Sequence, residues 1–458
     1  MKEKLQNSDR SKMTSPLRSK KGASLGVVAT AIFAVVAAGT TSVSSAATPV
    51  STKLTSSKVV LTIDDETGFP LTDKLAAAFT KQHPNITFKI NRDSFANLTA
   101  NAPRLMASNN APDLIRLPTI GNAVKNGLLL NLDPYFKAYS WNKWSAAQLA
   151  GMRVNPKTNV RGSGSLYQLG LGYSVTGVFM NMALAKTVGI TTVPATLAEF
   201  EADLAAAKAG GIVPMTEGDK DGVVNFTVQA AMNDYGNRQK LSDWINNVPG
   251  ATYDTPGNIQ GANLIRSWAD QGYFNEDINA VDYFTFTQNF VNGKGLFSFN
   301  GNWEAADVQT KLGSDARFFL FPAVQEGAPH VAMGAPNSFS VPAKSKHPNE
   351  IVYFLNWIHS NPVARQIVLD VSGATPGGDP ALPLPKVAKG SLTEQGLQMA
   401  AQLSKDNGYI DFMANATAGI YANAIIPESQ LLVGSKITGT EFVKAVQAEY
   451  ANELAQNK

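Results

Sequence analysis

The stretch "KVVLTIDDETGFPLTDKLAAAFTKQHPNITFKI", residues 58–90, decides the fold. Its first six residues, 58–63, read as a buried strand, and "DDETGFP" as the loop that leaves it. Residues 71–82 then place Leu71, Leu75, Ala78 and Phe79 on one helical face, and Pro84 stops the helix. "ITFKI", residues 86–90, is a second strand, left through "NRDSFAN". A helix near 97–108, a third strand "PDLIRL" (112–117) and the lead-in "PTIGNAVKNG" to another helix continue the alternation. Strand, helix, strand, helix predicts a parallel α/β sheet.

Open sheets of this kind hold ligands beyond the carboxyl ends of their strands. The three exit loops offer Asp64, Asp65 and Glu66, then Arg92, Asp93 and Ser94, then Arg116 and Thr119. Each of these is equally at home capping a helix or solvating a loop.

A second α/β unit begins at "SVTGVFMN" (174–181), an apolar strand entered from Tyr173. In the helix that follows "VPAT", Thr196 and Glu199 have capping-box spacing, Leu197, Phe200, Leu204 and Ala207 form the apolar stripe, and Gly210 and Gly211 end it. Farther on, "FVNGKGLFSFNGNWEAAD" (290–307) brings a strand-like run, Gly295 to Phe299, to a turn at Asn300 and Gly301 and sets Trp303 just beyond. That tryptophan is either core or the flat wall of a ligand site. Trp268 and Trp357 lie on apolar helix stripes and read as core, and "YSWNKW" (139–144) as a surface patch or a loop packed on its own lobe.

The chain of 458 residues is too long for one ordinary domain, so two lobes with separate cores are expected. Residues 1–47 stand apart from them. Seven basic residues precede the apolar run Gly22 to Gly39, and small residues follow near Ala46 and Ala47, the pattern of an export signal. The apolar run is also near the length that spans a bilayer, so retention as an anchor stays open. Without its seven basic and two acidic residues, the rest of the chain carries 32 basic and 34 acidic ones. A basic nucleic-acid surface therefore has no support. Zero cysteines exclude disulfides, thiolate catalysis and a lipid-bearing cysteine, and the four histidines form no short metal-ligand spacing. No metal or cofactor is expected. "GKG" at 293–295 lacks the Walker spacing, and no nucleophile elbow is present.

Five segments in order, "LAAAFTKQHPNITFKI", "APDLIRLPTIGNAVKNGLLLNLDPYF", "GVFMNMALAKTVGITTVPATLAEFEADL", "FVNGKGLFSFNGNWEA" and "VPAKSKHPNEIVYFLNWI", resemble the maltose-binding-protein-like extracellular solute-binding proteins of sugar-importing ABC transporters. The similarity spans about residues 58–375. It implies a two-lobed, periplasmic-binding-protein-like α/β fold (type II), with a ligand cleft between lobes joined by hinge crossovers. Those crossovers fall near Tyr173–Ser174, Met333–Asn337 and Ala374–Pro376. The implied parts are a signal peptide (1–47), a flexible Ser/Thr-rich lead (48–57), a first lobe (58–173 with 333–375) and a second (174–332 with 376–458). The resemblance also implies a carbohydrate ligand, permease subunits in the membrane as partners, a monomer, and a location outside the cell or at its surface. No third-loop tryptophan accompanies Arg116 and Thr119, a departure from the family pattern.

The site residues expected on this basis are Asp65, Glu66, Asp93, Arg116, Thr119, Tyr173, Phe226, Asn302, Trp303 and Asn337. A pyranose has apolar C–H faces and an equator of hydroxyls, so it needs flat aromatic surface with polar groups around the edge. Trp303 supplies the first, and Asp65, Glu66, Asn302 and Arg116 the second. Two alternatives remain at this stage. One is a non-sugar solute such as a polyamine or peptide, which the acidic cluster suits and Arg92 and Arg116 oppose. The other is a secreted glycoside hydrolase with paired carboxylates such as Asp65 and Glu304.

Overall fold

The computed structural model describes residues 49–456 except Ser145, and the expected export signal, residues 1–47, lies outside the described residues. Two five-stranded sheets organise the chain. In the first the strand order is β2-β1-β3-β11-β6, with β1 Val59–Glu66, β2 Ile86–Asp93, β3 Leu114–Arg116, β6 Gln168–Gly170 and β11 Ser338–Ser340. The second runs β12-β10-β7-β8, with β9 also paired to β7; here β7 is Ser174–Asn181, β8 Phe297–Gly301, β9 Ala316–Phe319, β10 Ala332–Ala335 and β12 Tyr409–Ile410. A short hairpin of β4 Arg153–Val154 and β5 Ser165–Leu166 stands outside both.

The helix Leu71–Gln82 buries Leu71, Leu75 and Phe79 against the first sheet, as its periodicity predicts. The capping box of Thr196 and Glu199 opens the helix Leu197–Ala209, whose Leu197, Phe200, Leu204 and Ala207 are buried. Separate apolar cores form on the two sheets. One gathers Leu61, Ile63, Phe79, Trp141, Phe339 and Trp357. The other gathers Val178, Phe200, Trp244, Trp268, Phe297 and Phe442.

Three expectations change. The three strands read from residues 58–117 are parallel as expected, β1 pairing with both β2 and β3, but their sheet is mixed, because β11 pairs antiparallel with β3 and β6; in the second sheet β10 and β12 are parallel, and β7 pairs antiparallel with β8, β9 and β10. Antiparallel returns let one strand, β7, be enclosed by neighbours from distant parts of the chain, and all eight of its residues are buried. The strand before Trp303 also runs on through Asn300 and Gly301, which pair with Gly177 and Thr176 instead of turning. Finally, the Ser/Thr-rich lead does not stand away from the fold. Ser51 N–H donates to Asn349, and the Asn85 amide donates to the carbonyls of Thr55 and Ser57.

The chain passes between the sheets at residues 171–173 and 336–337, and the third passage falls later than the expected 374–376: Gly377 and Lys386 still bond to Arg365 and Gln366 of the first lobe, and Leu392 N–H then reaches the second, at Gln309. Tyr173 and Thr375 exchange two backbone hydrogen bonds, at 2.8 and 2.9 Å, and Leu171 N–H donates to Asn337 O at 3.2 Å. Among the described residues no helix is long and apolar enough to cross a membrane.

Candidate functional site

Asp65 and Glu66 are neighbours in sequence with opposite surroundings. Both belong to β1, where successive side chains face opposite sides of the sheet. Asp65 is fully buried. Its Oδ2 accepts from Thr72 Oγ1 at 2.6 Å and Arg92 Nη1 at 2.9 Å, and its Oδ1 from the Glu66 N–H at 2.8 Å. Arg92 in turn is consumed by Asp73 and by the carbonyls of Glu66 and Phe69. This pair pins the loop after β1 to the helix Leu71–Gln82.

Glu66 instead meets Arg116, with Oε1 at 3.1 Å from Nη2. Burial raises the Glu66 pKa above the usual carboxylate value, and the Arg116 charge opposes the rise. The guanidinium lies 5.0 Å from the Phe69 ring centroid and 5.8 Å from that of Phe95. Its Nη1 is buried with no hydrogen-bond partner among the described residues. Thr119 is half-buried in the loop following β3. Asp93 is exposed and accepts at Oδ1 from Ser94 N–H and from the Asn97 amide, closing the start of the helix Phe95–Ala107.

On the second sheet, Trp303 is half-buried just past β8. Its ring folds back over Gly301: a Cβ there would lie 2.1 Å from Cζ3, so only glycine admits this placement. Phe226, from the helix Asn225–Tyr235, meets the indole edge-on at 6.2 Å and packs on Phe412 at 5.0 Å. Trp303 Nε1 donates to Tyr283 Oη at 2.6 Å. Tyr283 Oη also touches Glu304 and lies 3.1 Å from Asn300 Oδ1. Burial pushes the Glu304 carboxyl up to about 7 and raises the Tyr283 phenol well above its ordinary value.

Three expected site residues serve the passages between the sheets. Asn302 is buried; its Oδ1 accepts from Val175 N–H at 3.1 Å and its Nδ2 donates to Gly373 O at 2.7 Å. Asn337, at φ +44°, donates through Nδ2 to Ser174 Oγ at 3.3 Å. Tyr173 donates its hydroxyl to Gln148 O at 2.7 Å. These bonds hold the three side chains to backbone and side-chain groups at or beside the passages.

The fold brings Glu66 to Arg116 and Trp303 to Phe226. Among the described residues no hydrogen bond, ion pair or ring contact joins one pair to the other. A direct link between the lobes comes from a residue outside the expected set. Arg161, on the β4–β5 loop, donates through its backbone N–H to Asn246 O at 3.2 Å and through Nη1 to Asn415 O at 2.8 Å, and pairs with Asp411. Sequence reading passes over Arg161 and Tyr283 because one arginine in a glycine-rich loop and one tyrosine at a helix start carry no spacing signal.

"YSWNKW" is a loop packed on its own lobe. Trp141 is buried and donates to Asn356 Oδ1 at 2.9 Å, and Trp144 lies 4.5 Å from the His359 ring. A recess of about 330 Å³ beside them is lined by Phe136, Leu149 and Arg153 and touches none of the expected site residues.

Among curated proteins none shows significant sequence similarity to this chain. Solved structures do share its fold. A chitin oligosaccharide binding protein superposes with a TM-score of 0.72 at 19% identity, covering 87% of this chain and 99% of that one. The raffinose complex of the solute-binding protein RafE gives 0.67 at 17% identity, covering 86% and 100%. The galacto-N-biose-/lacto-N-biose I-binding protein of the ABC transporter from Bifidobacterium longum gives 0.68 at 18% identity, covering 88% and 98%. These likenesses establish the two-lobed fold. A family model for bacterial extracellular solute-binding proteins matches residues 64–365, the greater part of the chain, with strands of both sheets. The protein belongs to the family of bacterial extracellular solute-binding proteins.

Proposed function

We propose that this protein captures a mono- or oligosaccharide between its lobes and delivers it to the permease subunits of an ABC importer, with residues 1–47 directing its export. The observation that carries this reading is the half-buried Trp303 ring, backed by Gly301 and flanked by Phe226. A flat ring held face-on suits the apolar face of a sugar, and covering it is worth about 1–2 kcal/mol by area. From the first lobe Glu66, Arg116 and Thr119 supply acceptors and donors for hydroxyls. The Arg116 side chain keeps 15% of its surface exposed, which leaves its guanidinium an edge for a sugar oxygen. In this reading Asp65, Asn302, Asn337 and Tyr173 hold loops and crossovers and do not touch the sugar. The solved neighbours whose names specify chitin oligosaccharide, raffinose and lacto-N-biose support a carbohydrate as the ligand class.

The protein binds without reacting. The hydrolytic alternative pairs Glu304 with Asp65, whose oxygens are committed to Arg92, Thr72 and the Glu66 N–H. Thermal-shift screening against chitobiose, raffinose, maltose and lacto-N-biose, followed by calorimetry, tests the reading. At least one sugar is expected to raise the melting temperature and to be recovered intact. Absence of any shift across a wider carbohydrate panel, with a polyamine or peptide stabilising instead, would replace the sugar. Multiple turnover would replace binding by catalysis.

A further inference from the structure

We propose that Tyr283 is a positioning residue whose phenol, held by Glu304 and Asn300, fixes the tilt of the Trp303 indole, a role that rests on the reading of Trp303 as a sugar platform. The indole has one polar atom, and it is spent on Tyr283 Oη at 2.6 Å. Stacking on Gly301 constrains the plane of the ring, but a ring over a glycine backbone can still slide. The N–H bond removes that freedom. Tyr283 is itself fixed at the start of the helix Tyr283–Val291, where its backbone N–H donates to Asp221 Oδ2 at 3.2 Å and its ring packs edge-on with Phe286 at 5.4 Å.

Counting hydrogens shows how the cluster closes. A phenol has one proton to donate and two lone pairs to receive. One lone pair takes the Trp303 N–H. The remaining neighbours, Glu304 Oε1 and the Asn300 Oδ1 at 3.1 Å, are both acceptors when Glu304 is ionised, and one proton cannot serve both. Asn300 Oδ1 already receives the Gly301 N–H at 2.8 Å, so it cannot turn away. With Glu304 protonated, its O–H donates to the phenol, the phenol donates to Asn300, and every group is matched. The phenol accepts the Trp303 N–H in either state; protonation of Glu304 matches every group around it, whereas ionisation turns the phenol proton to Glu304 and leaves the Asn300 oxygen facing an oxygen.

The surroundings favour the protonated form. Burial raises the Glu304 pKa to about 7. The Tyr283 hydrogen bond from the neighbouring helix works against that rise and Asp307 adds to it; Asp221 sits behind Tyr283 at the helix start. None is basic.

Indole ¹H–¹⁵N spectra of the protein test this without any sugar. The chain has six tryptophans, and the Trp303 signal is the one lost in Trp303→Phe. In the parent it is expected downfield, titrating with a midpoint near 7. Glu304→Gln should keep it downfield and abolish the titration, and Tyr283→Phe should move it upfield. A Trp303 signal unmoved in folded Tyr283→Phe overturns the positioning role. A parent signal that does not titrate between about pH 5 and 9 overturns the part assigned to Glu304, and remains decisive if Tyr283→Phe does not fold. If no carbohydrate binds, these spectra are unaffected, so the two readings fail separately.

Discussion

Arg161 and Asp411, 250 positions apart, form an ion pair that ties the β4–β5 hairpin of the first lobe to the segment following β12 in the second. The arginine side chain is only 4% exposed, against 23% for the aspartate. Leaving one partner of a buried pair costs about 3–5 kcal/mol, and Asp411 keeps some water, so Arg161→Ala is expected to lose about 3 kcal/mol of stability. The contact must also break for the lobes to part. Small-angle scattering of the sugar-free variant should therefore give a larger radius of gyration than the parent. Superimposable profiles would show that the pair does not restrain the lobes.

Trp303→Ala should weaken sugar binding at least tenfold, about 1.4 kcal/mol, because the stacking face is lost. The ring also packs on the second core, so the melting temperature should fall as well. Calorimetry on the folded variant, with the sugar that stabilises the parent most, decides the point. Unchanged affinity would return Trp303 to the core.

Asn302→Ala should act on stability and spare the platform. The change strands two buried backbone groups, Val175 N–H and Gly373 C=O, at about 1–3 kcal/mol each. Urea unfolding should show a loss of about 2–6 kcal/mol. A loss below about 1 kcal/mol would mean that water replaces the amide.

Glu304 makes stability depend on pH in a direction opposite to the usual carboxylate. Its folded pKa is about 7, against 4.5 for an ordinary glutamate. Between these values the folded state binds more protons than the unfolded one. The contribution is fully present below about pH 4.5 and is lost as pH rises through about 7, by up to about 1.4 kcal/mol per unit. Asp203, raised to about 6, and Asp234, raised to about 8, act in the same sense. The quantity to measure is therefore the difference between parent and Glu304→Gln across this range. A difference that stays flat would place the Glu304 pKa near its ordinary value.

Local signals in the chain sufficed for the elements themselves. Leu71, Leu75 and Phe79 at helical spacing, the Thr196–Glu199 capping box and the apolar run 174–181 are short-range patterns, and each produced the expected helix or strand. The glycine–asparagine–tryptophan step at 301–303 likewise singled out Trp303, whose ring the fold lays over Gly301. Tertiary structure decided which polar groups are free. Asp65 and Glu66 look alike as residues of an exit loop, yet pairing with Arg92 and Asp93 extends β1 through both. Strand alternation then sends Asp65 inward to Arg92 and Glu66 to Arg116. The same holds for Asn302, whose amide bonds Val175 and Gly373, and for Trp303, whose nitrogen finds Tyr283. A side chain's chemistry is written in the sequence, but its hydrogen-bond partner is chosen by residues tens to hundreds of positions away. Only the folded chain brings those groups within the roughly 3 Å at which such bonds form.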